Sequence, residues 1–190
     1  MATMTADEKG AHVNGIDLDV LQQTVDAIKK DPQLGSCRFR AANKWINANH
    51  NCTTVDGFYA ARQEKAHKQP FELHADEPPM LAGQDESANP VEHLLHALAS
   101  CVTTSLVAHA AVRGIEIQEL ESELEGDIDL RGFLGLASDV PKGYTTIRVK
   151  LRVKTDEKNL EKLKSLASFS PVYNSLIDGV KVDIAIERKQ

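Results

Sequence analysis

An α+β fold is expected for this chain, and three observations carry that expectation. Strand-like runs cluster before and after one long apolar segment, instead of alternating with helices as a βαβ repeat would. The segment from Asn89 to Arg113 reads as one helix of about 24 residues, hence about 36 Å long. In Tyr144–Lys154, Ile147, Val149, Leu151 and Val153 alternate with Arg148, Lys150, Arg152 and Lys154, the mark of an antiparallel sheet with one face in water.

The elements follow in order. Residues 1–15 are polar and without periodicity, and are expected to be loose. Leu18, Leu21, Val25 and Ile28 recur at helical spacing between Ile16 and Asp31, and Asp31-Pro32 ends the run. That helix belongs to an N-terminal extension, residues 1–35, attached to a main domain spanning 36–190. Arg38–Trp45, Cys52–Ala60 and Pro70–His74 read as three strands, with Asn47–Asn51 as the clearest hairpin turn. His74–Ala88 is a connecting loop. Asn89 then offers a helix cap, Pro90 suits the first helical position, and Glu92 completes a capping box. The helix carries few charges after its first turn, so it is expected to be central, with Gly114 just past its end. Ile115–Asp127 is a further strand, Gly126–Gly143 a long loop, and Tyr144–Lys154 the strand already described. A helix capped by Thr155 or Asp156 runs to Ala167, and Val180–Ile186 alternates as a final strand.

Composition narrows the function. With 190 residues and a net charge of -6, the chain lacks the clustered basic surface of a nucleic-acid binder. No apolar run is expected to span a bilayer, and residues 1–10 lack the pattern of a signal peptide, so a cytoplasmic location without membrane contact is expected. Three cysteines, Cys37, Cys52 and Cys101, show no CxxC spacing and are expected to be free thiols in a reducing compartment. His93, His96 and His109 lie on the long helix without a cysteine or acidic set to complete a tetrahedron, so no metal is expected. No cofactor is expected, since Gly132 and Gly135 fit neither phosphate-binding spacing. His67, His74, Asp76 and Glu77 are placed as a polar cluster near the helix start.

Cys101 sits mid-helix among Leu94, Ala97, Leu98, Thr104, Ser105 and Ala108. A thiol in apolar surroundings is inert unless a cationic or hydrogen-bonding partner activates it. The run Asn89-Pro90-Val91-Glu92-His93-Leu94-Leu95-His96-Ala97-Leu98-Ala99-Ser100-Cys101 resembles the helix signature of the OsmC/Ohr family, the osmotically inducible and organic hydroperoxide resistance proteins. Ser170-Pro171-Val172-Tyr173-Asn174-Ser175-Leu176 is similar to the family's second motif. The resemblance implies an intertwined homodimer whose antiparallel sheets wrap long central helices. It also implies that Cys101 is the peroxidatic cysteine: its thiolate attacks an organic hydroperoxide, a second cysteine resolves the sulfenic acid, and a dithiol reduces the disulfide.

The chain departs from that pattern at three places. Ser170 stands where the second cysteine belongs, so an external thiol must resolve the sulfenic acid. Val91 follows the helix-start proline where the reductases carry glutamate. Glu92, one residue later and nine before Cys101, is a site residue of another branch but points to the opposite side of the helix. The loop Ile46–Cys52 contains no arginine, leaving Arg38, Arg40 or Arg62 as accessory candidates and Cys52 as an alternative resolving thiol. Two functions follow: thiol-dependent reduction of an organic hydroperoxide in oxidative stress, or a non-catalytic module holding a small apolar or electrophilic ligand at the dimer interface.

Overall fold

The computed structural model describes residues 12–189. The expectation that residues 1–15 are loose falls mostly on residues 1–11, outside the described part. Its remainder is corrected, because β1 (His12–Val13) and β2 (Ile16–Asp17) form a small hairpin. Its turn residues, Asn14 and Gly15, have φ of 55° and 77°, the left-handed pair that Asn-Gly supplies most readily. Helix α1 (Leu18–Lys30) follows, capped by the Asp17 carboxylate, which accepts from the Asp19 and Val20 N–H groups.

The chain divides into two compact units, Met1–Leu94 and Leu95–Gln190. The first is built on a four-stranded antiparallel sheet. Its centre is β5 (His50–Ala60), which pairs with β3 (Arg38–Phe39) and β4 (Ala42–Asn47) on one side and β6 (Gln63–Ala75) on the other. The Asn47–Asn51 turn is present, with Asn47 opposite His50. The expected strand Arg38–Trp45 is broken in two, and the strand expected at Pro70–His74 begins seven residues earlier, at Gln63. The polar run Gln63–Lys68 hides that strand, because neither of its faces is apolar. Pro70, which cannot donate to a ladder, falls in the irregularity where the register jumps from Val55 opposite Phe71 to Gly57 opposite Ala66.

A loop then leads to α2 (Pro90–Val112). Its organiser is the buried Asp76 carboxylate, which accepts from the backbone N–H groups of Glu77, Gln84 and Glu86. Gly83 permits the tight fold, since a Cβ there would lie 1.7 Å from the Glu77 carbonyl oxygen.

The second unit packs the rest of α2 with β7 (Glu119–Asp127), β8 (Thr146–Lys154) and α4 (Leu160–Leu166). Leu106, Ala110, Ile115, Leu163 and Leu166 form its buried cluster, flanked by Ile117, Leu120, Leu151 and Val153. The basic face of β8 meets the acidic face of β7 in register: Lys154 bonds Glu119, Arg152 bonds Glu123, and Arg148 bonds both Glu125 and Asp127. Between those strands lies α3 (Leu130–Phe133), one turn within the expected loop.

Two further expectations are corrected. α2 is long and apolar enough, by length and composition, to cross a bilayer. Leu98, Val102, Leu106, Ala110 and Ala111 are its buried residues. Val180–Ile186 joins no ladder among the described residues and leaves Val182, Ile184 and Ile186 more than 70% exposed. Alternation marks two faces, but a strand also needs an edge to accept its backbone groups. Instead, the second motif folds as a short helix, α5 (Pro171–Ile177).

Candidate functional site

α2 begins with the capping box read from the sequence. The Asn89 side chain accepts from the Glu92 N–H at 2.9 Å, and the Glu92 carboxylate accepts from the Asn89 N–H at 2.8 Å. His93 donates to the His74 carbonyl at 2.8 Å, fastening this turn to the end of β6. Glu92 thus serves the helix start. Nearby Glu77 titrates above the ordinary carboxylate range, because it is partly buried and faces the negative charges of Asp76 and Glu92. Asp76 is displaced the other way by the backbone N–H groups it accepts, Glu77 first. His67 does not join this group, since its ring packs between Phe58 and Phe71, each 5.1 Å away.

Cys101 is a half-buried free thiol at the edge of the buried stripe Leu98–Val102–Leu106. Its neighbours His96, Ser100 and Thr104 are exposed, and the Thr104 hydroxyl donates to the Ser100 carbonyl at 2.6 Å. Small and polar residues thus flank Cys101 on the exposed part of the helix.

Ser170 is fully buried and caps α5, its hydroxyl accepting from the Tyr173 N–H at 3.2 Å. The Asn174 side chain donates to the Ser170 and Ser168 carbonyls, so the motif locks its own backbone. Just before it, Phe169 stacks on His109 of α2 with ring centroids 4.1 Å apart, and Arg113 lies over the same ring. This stack ties the helix that carries Cys101 to the segment that carries Ser170. Neither motif alone reveals it.

Partial burial, reinforced by Arg113, holds His109 below its ordinary 6.5. A histidine with a depressed folded pKa stabilises the protein above its unfolded value, and that contribution is lost as pH falls through the folded one. Wild-type stability is therefore expected to decline on acidification below about 6.5 more steeply than that of His109→Gln. Urea midpoints for both proteins between neutral and mildly acidic pH check this, and parallel curves would refute it.

Of the accessory residues, Arg40 lies between β3 and β4 and Cys52 on β5. Arg40 forms a two-pronged pair with Glu64, at 2.6 and 2.8 Å, which occupies its guanidinium fork. Cys52 is half-buried on β5, directly opposite His74 on β6. Its surroundings include Glu72 and His74, and the His74 ring contacts His50. Sequence reasoning missed Glu72 and His50 here, because the separation along the chain hides a cross-strand set that only the register assembles.

Residues 83–185 match the family model described as OsmC-like protein. Solved structures share the fold at low identity. An OsmC-like protein from Mycoplasma pneumoniae is 17% identical with a TM-score of 0.57, covering 75% of this chain and 89% of its own. An OsmC-like protein of unknown function from Vibrio cholerae is 14% identical at 0.55, covering 73% and 92%. An organic hydroperoxide resistance protein from Legionella pneumophila is 14% identical at 0.50, covering 73% and 90%. No curated protein matches the chain.

Proposed function

The chain belongs to the OsmC-like family, and from that premise we propose that it reduces organic hydroperoxides through Cys101. The observation that carries the reading is a half-buried, unpaired thiol on the apolar helix of the matched region. In the reaction the Cys101 thiolate attacks the hydroperoxide. An S–O bond forms as the O–O bond breaks, sulfur loses two electrons, and the departing alkoxide takes a proton to leave as an alcohol. Ser170 cannot resolve the sulfenic acid, so an external thiol condenses with it, releasing water. A second thiol, most simply the other half of a dithiol reductant, then frees Cys101. Glu92 keeps its capping role and Arg40 its pair with Glu64. Three free cysteines suit a reducing, cytoplasmic setting.

The working form is a homodimer. Supporting it, Trp45, Phe71 and Leu73 share one face of the first sheet by register and stand about half exposed or more, and in the second unit Val182, Ile184 and Ile186 are exposed as well. Sedimentation equilibrium is expected to give twice the 20.8 kDa chain mass, and a monomer at micromolar concentration would reject this.

Stopped-flow mixing with an alkyl hydroperoxide tests the reaction. Wild type is expected to consume about one equivalent rapidly with a sulfenic acid trapped at Cys101, and Cys101→Ser to lose the fast phase entirely. Equal rates in the two proteins would reject catalysis. That outcome would favour a non-catalytic module binding a small apolar or electrophilic ligand, a reading supported by the engaged Arg40 and the serine at position 170.

A further inference from the structure

We propose that Cys52, Glu72 and His74 bind a thiolate-accepting divalent metal ion of the zinc class on the polar face of the first sheet. Register places them together: Cys52 is directly opposite His74, and Thr54, the next residue on that face, is opposite Glu72. A thiol sulfur, an imidazole nitrogen and a carboxylate oxygen from these three residues all lie within 4.8 Å of one another. Tetrahedral zinc, with bonds of about 2.0–2.3 Å, requires donor separations of about 3.3–3.7 Å. Closing the set therefore takes side-chain movements on the order of 1 Å. Glu72 and His74 are exposed and Cys52 half-buried, so those movements need only rotation about side-chain bonds and disturb no core.

The donor types decide which ion fits. Magnesium and calcium call for oxygen cages, whereas sulfur with imidazole and one carboxylate suits zinc or its spectroscopic substitute cobalt. His50 adds an outer partner, with its Nε2 3.0 Å from the Nδ1 of His74. That contact engages one nitrogen of His74 and leaves Nε2 for a metal. In the tautomer that carries its proton on Nδ1, His74 donates to His50, and the contact then orients the ring with Nε2 toward a metal. A cavity of about 420 Å³, bordered by Ile46 and Thr54, leaves the fourth coordination position to water. Lys44, opposite Cys52 on β4, borders the same cavity and opposes a cation, but its exposed side chain can turn into solvent. None of this depends on the chemistry at Cys101, so either reading can fail without the other.

The test is titration of the reduced full-length chain with cobalt(II) alone, following sulfur-to-cobalt charge-transfer absorption. The band is expected to saturate at one equivalent, to persist in Cys37→Ser and Cys101→Ser, and to vanish in Cys52→Ser. Glu72→Gln and His74→Gln are expected to weaken binding beyond the roughly 10–100-fold that outer-partner changes cost, and His50→Gln to fall within that range. Zinc is expected to displace the cobalt and to shield Cys52, but not Cys37, from alkylation in peptide mass maps. Native circular dichroism for each variant keeps lost binding from being mistaken for unfolding. A wild type without the band, or a band that survives Cys52→Ser, overturns the proposal.

Discussion

Leu106→Ala is expected to destabilise the protein by about 3–5 kcal/mol, the upper part of the range for leucine truncation in a packed interior. Leu106 is 1% exposed and sits where α2, the sheet of β7 and β8, and α4 converge. Its neighbours come from four different segments, so no single side chain can collapse into the space it leaves. The loss combines transfer of the missing methyl groups with the cavity left behind. For a chain of this size it corresponds to a fall in Tm of roughly 6–20 °C. Leu160→Ala supplies the control, since Leu160 lies on α4 but is 39% exposed and is expected to cost under about 1 kcal/mol. Urea unfolding of both variants decides the matter. Equal losses would mean that the core does not lie where Leu106, Leu163 and Leu166 meet.

What could be read in advance was what is local in the chain. The Asn89–Glu92 box is legible because its partners are three residues apart and one side chain answers the other. The β7–β8 sheet is legible because one face is wet, and the acids of β7 match the bases of β8 pair for pair. The start of β6 was hidden, because a strand polar on both faces carries no period-two signal. Val180–Ile186 erred in the opposite sense, showing alternation without a paired edge. In the site, Cys101 and Ser170 were found by motif, while the His109–Phe169 stack that ties their segments together was not. Phe169 has no helical period to announce it, and its contact spans sixty residues. The Cys52, Glu72 and His74 set was hidden for the same reason, since its assembly depends on a ladder register shifted by an irregularity at Pro70.

Ser170→Cys is expected to redirect the redox chemistry, by giving Cys101 a resolving partner in its own chain. In the wild type, excess hydroperoxide finds a sulfenic acid with no thiol at the second-motif position, so oxidation is expected to climb irreversibly to the sulfinic acid. In the variant the introduced thiol attacks the Cys101 sulfenic acid, expels water and closes a disulfide, in competition with that climb. The substitution carries a folding cost, because sulfur is a poor substitute for the hydroxyl that accepts from the Tyr173 N–H. About 0.5–2 kcal/mol of capping is at stake, which the protein is expected to survive. Intact mass after peroxide treatment reads the outcome directly: loss of two hydrogens with no added oxygen in Ser170→Cys, two added oxygens in the wild type. Peptide mapping must join position 170 to Cys101, and Cys101→Ser must abolish the link. A disulfide requires the two Cα atoms to approach within about 7 Å. Wild-type overoxidation in the variant would therefore mean that the second motif does not face Cys101, and that this chain uses its cysteine helix in a way the family motif does not describe.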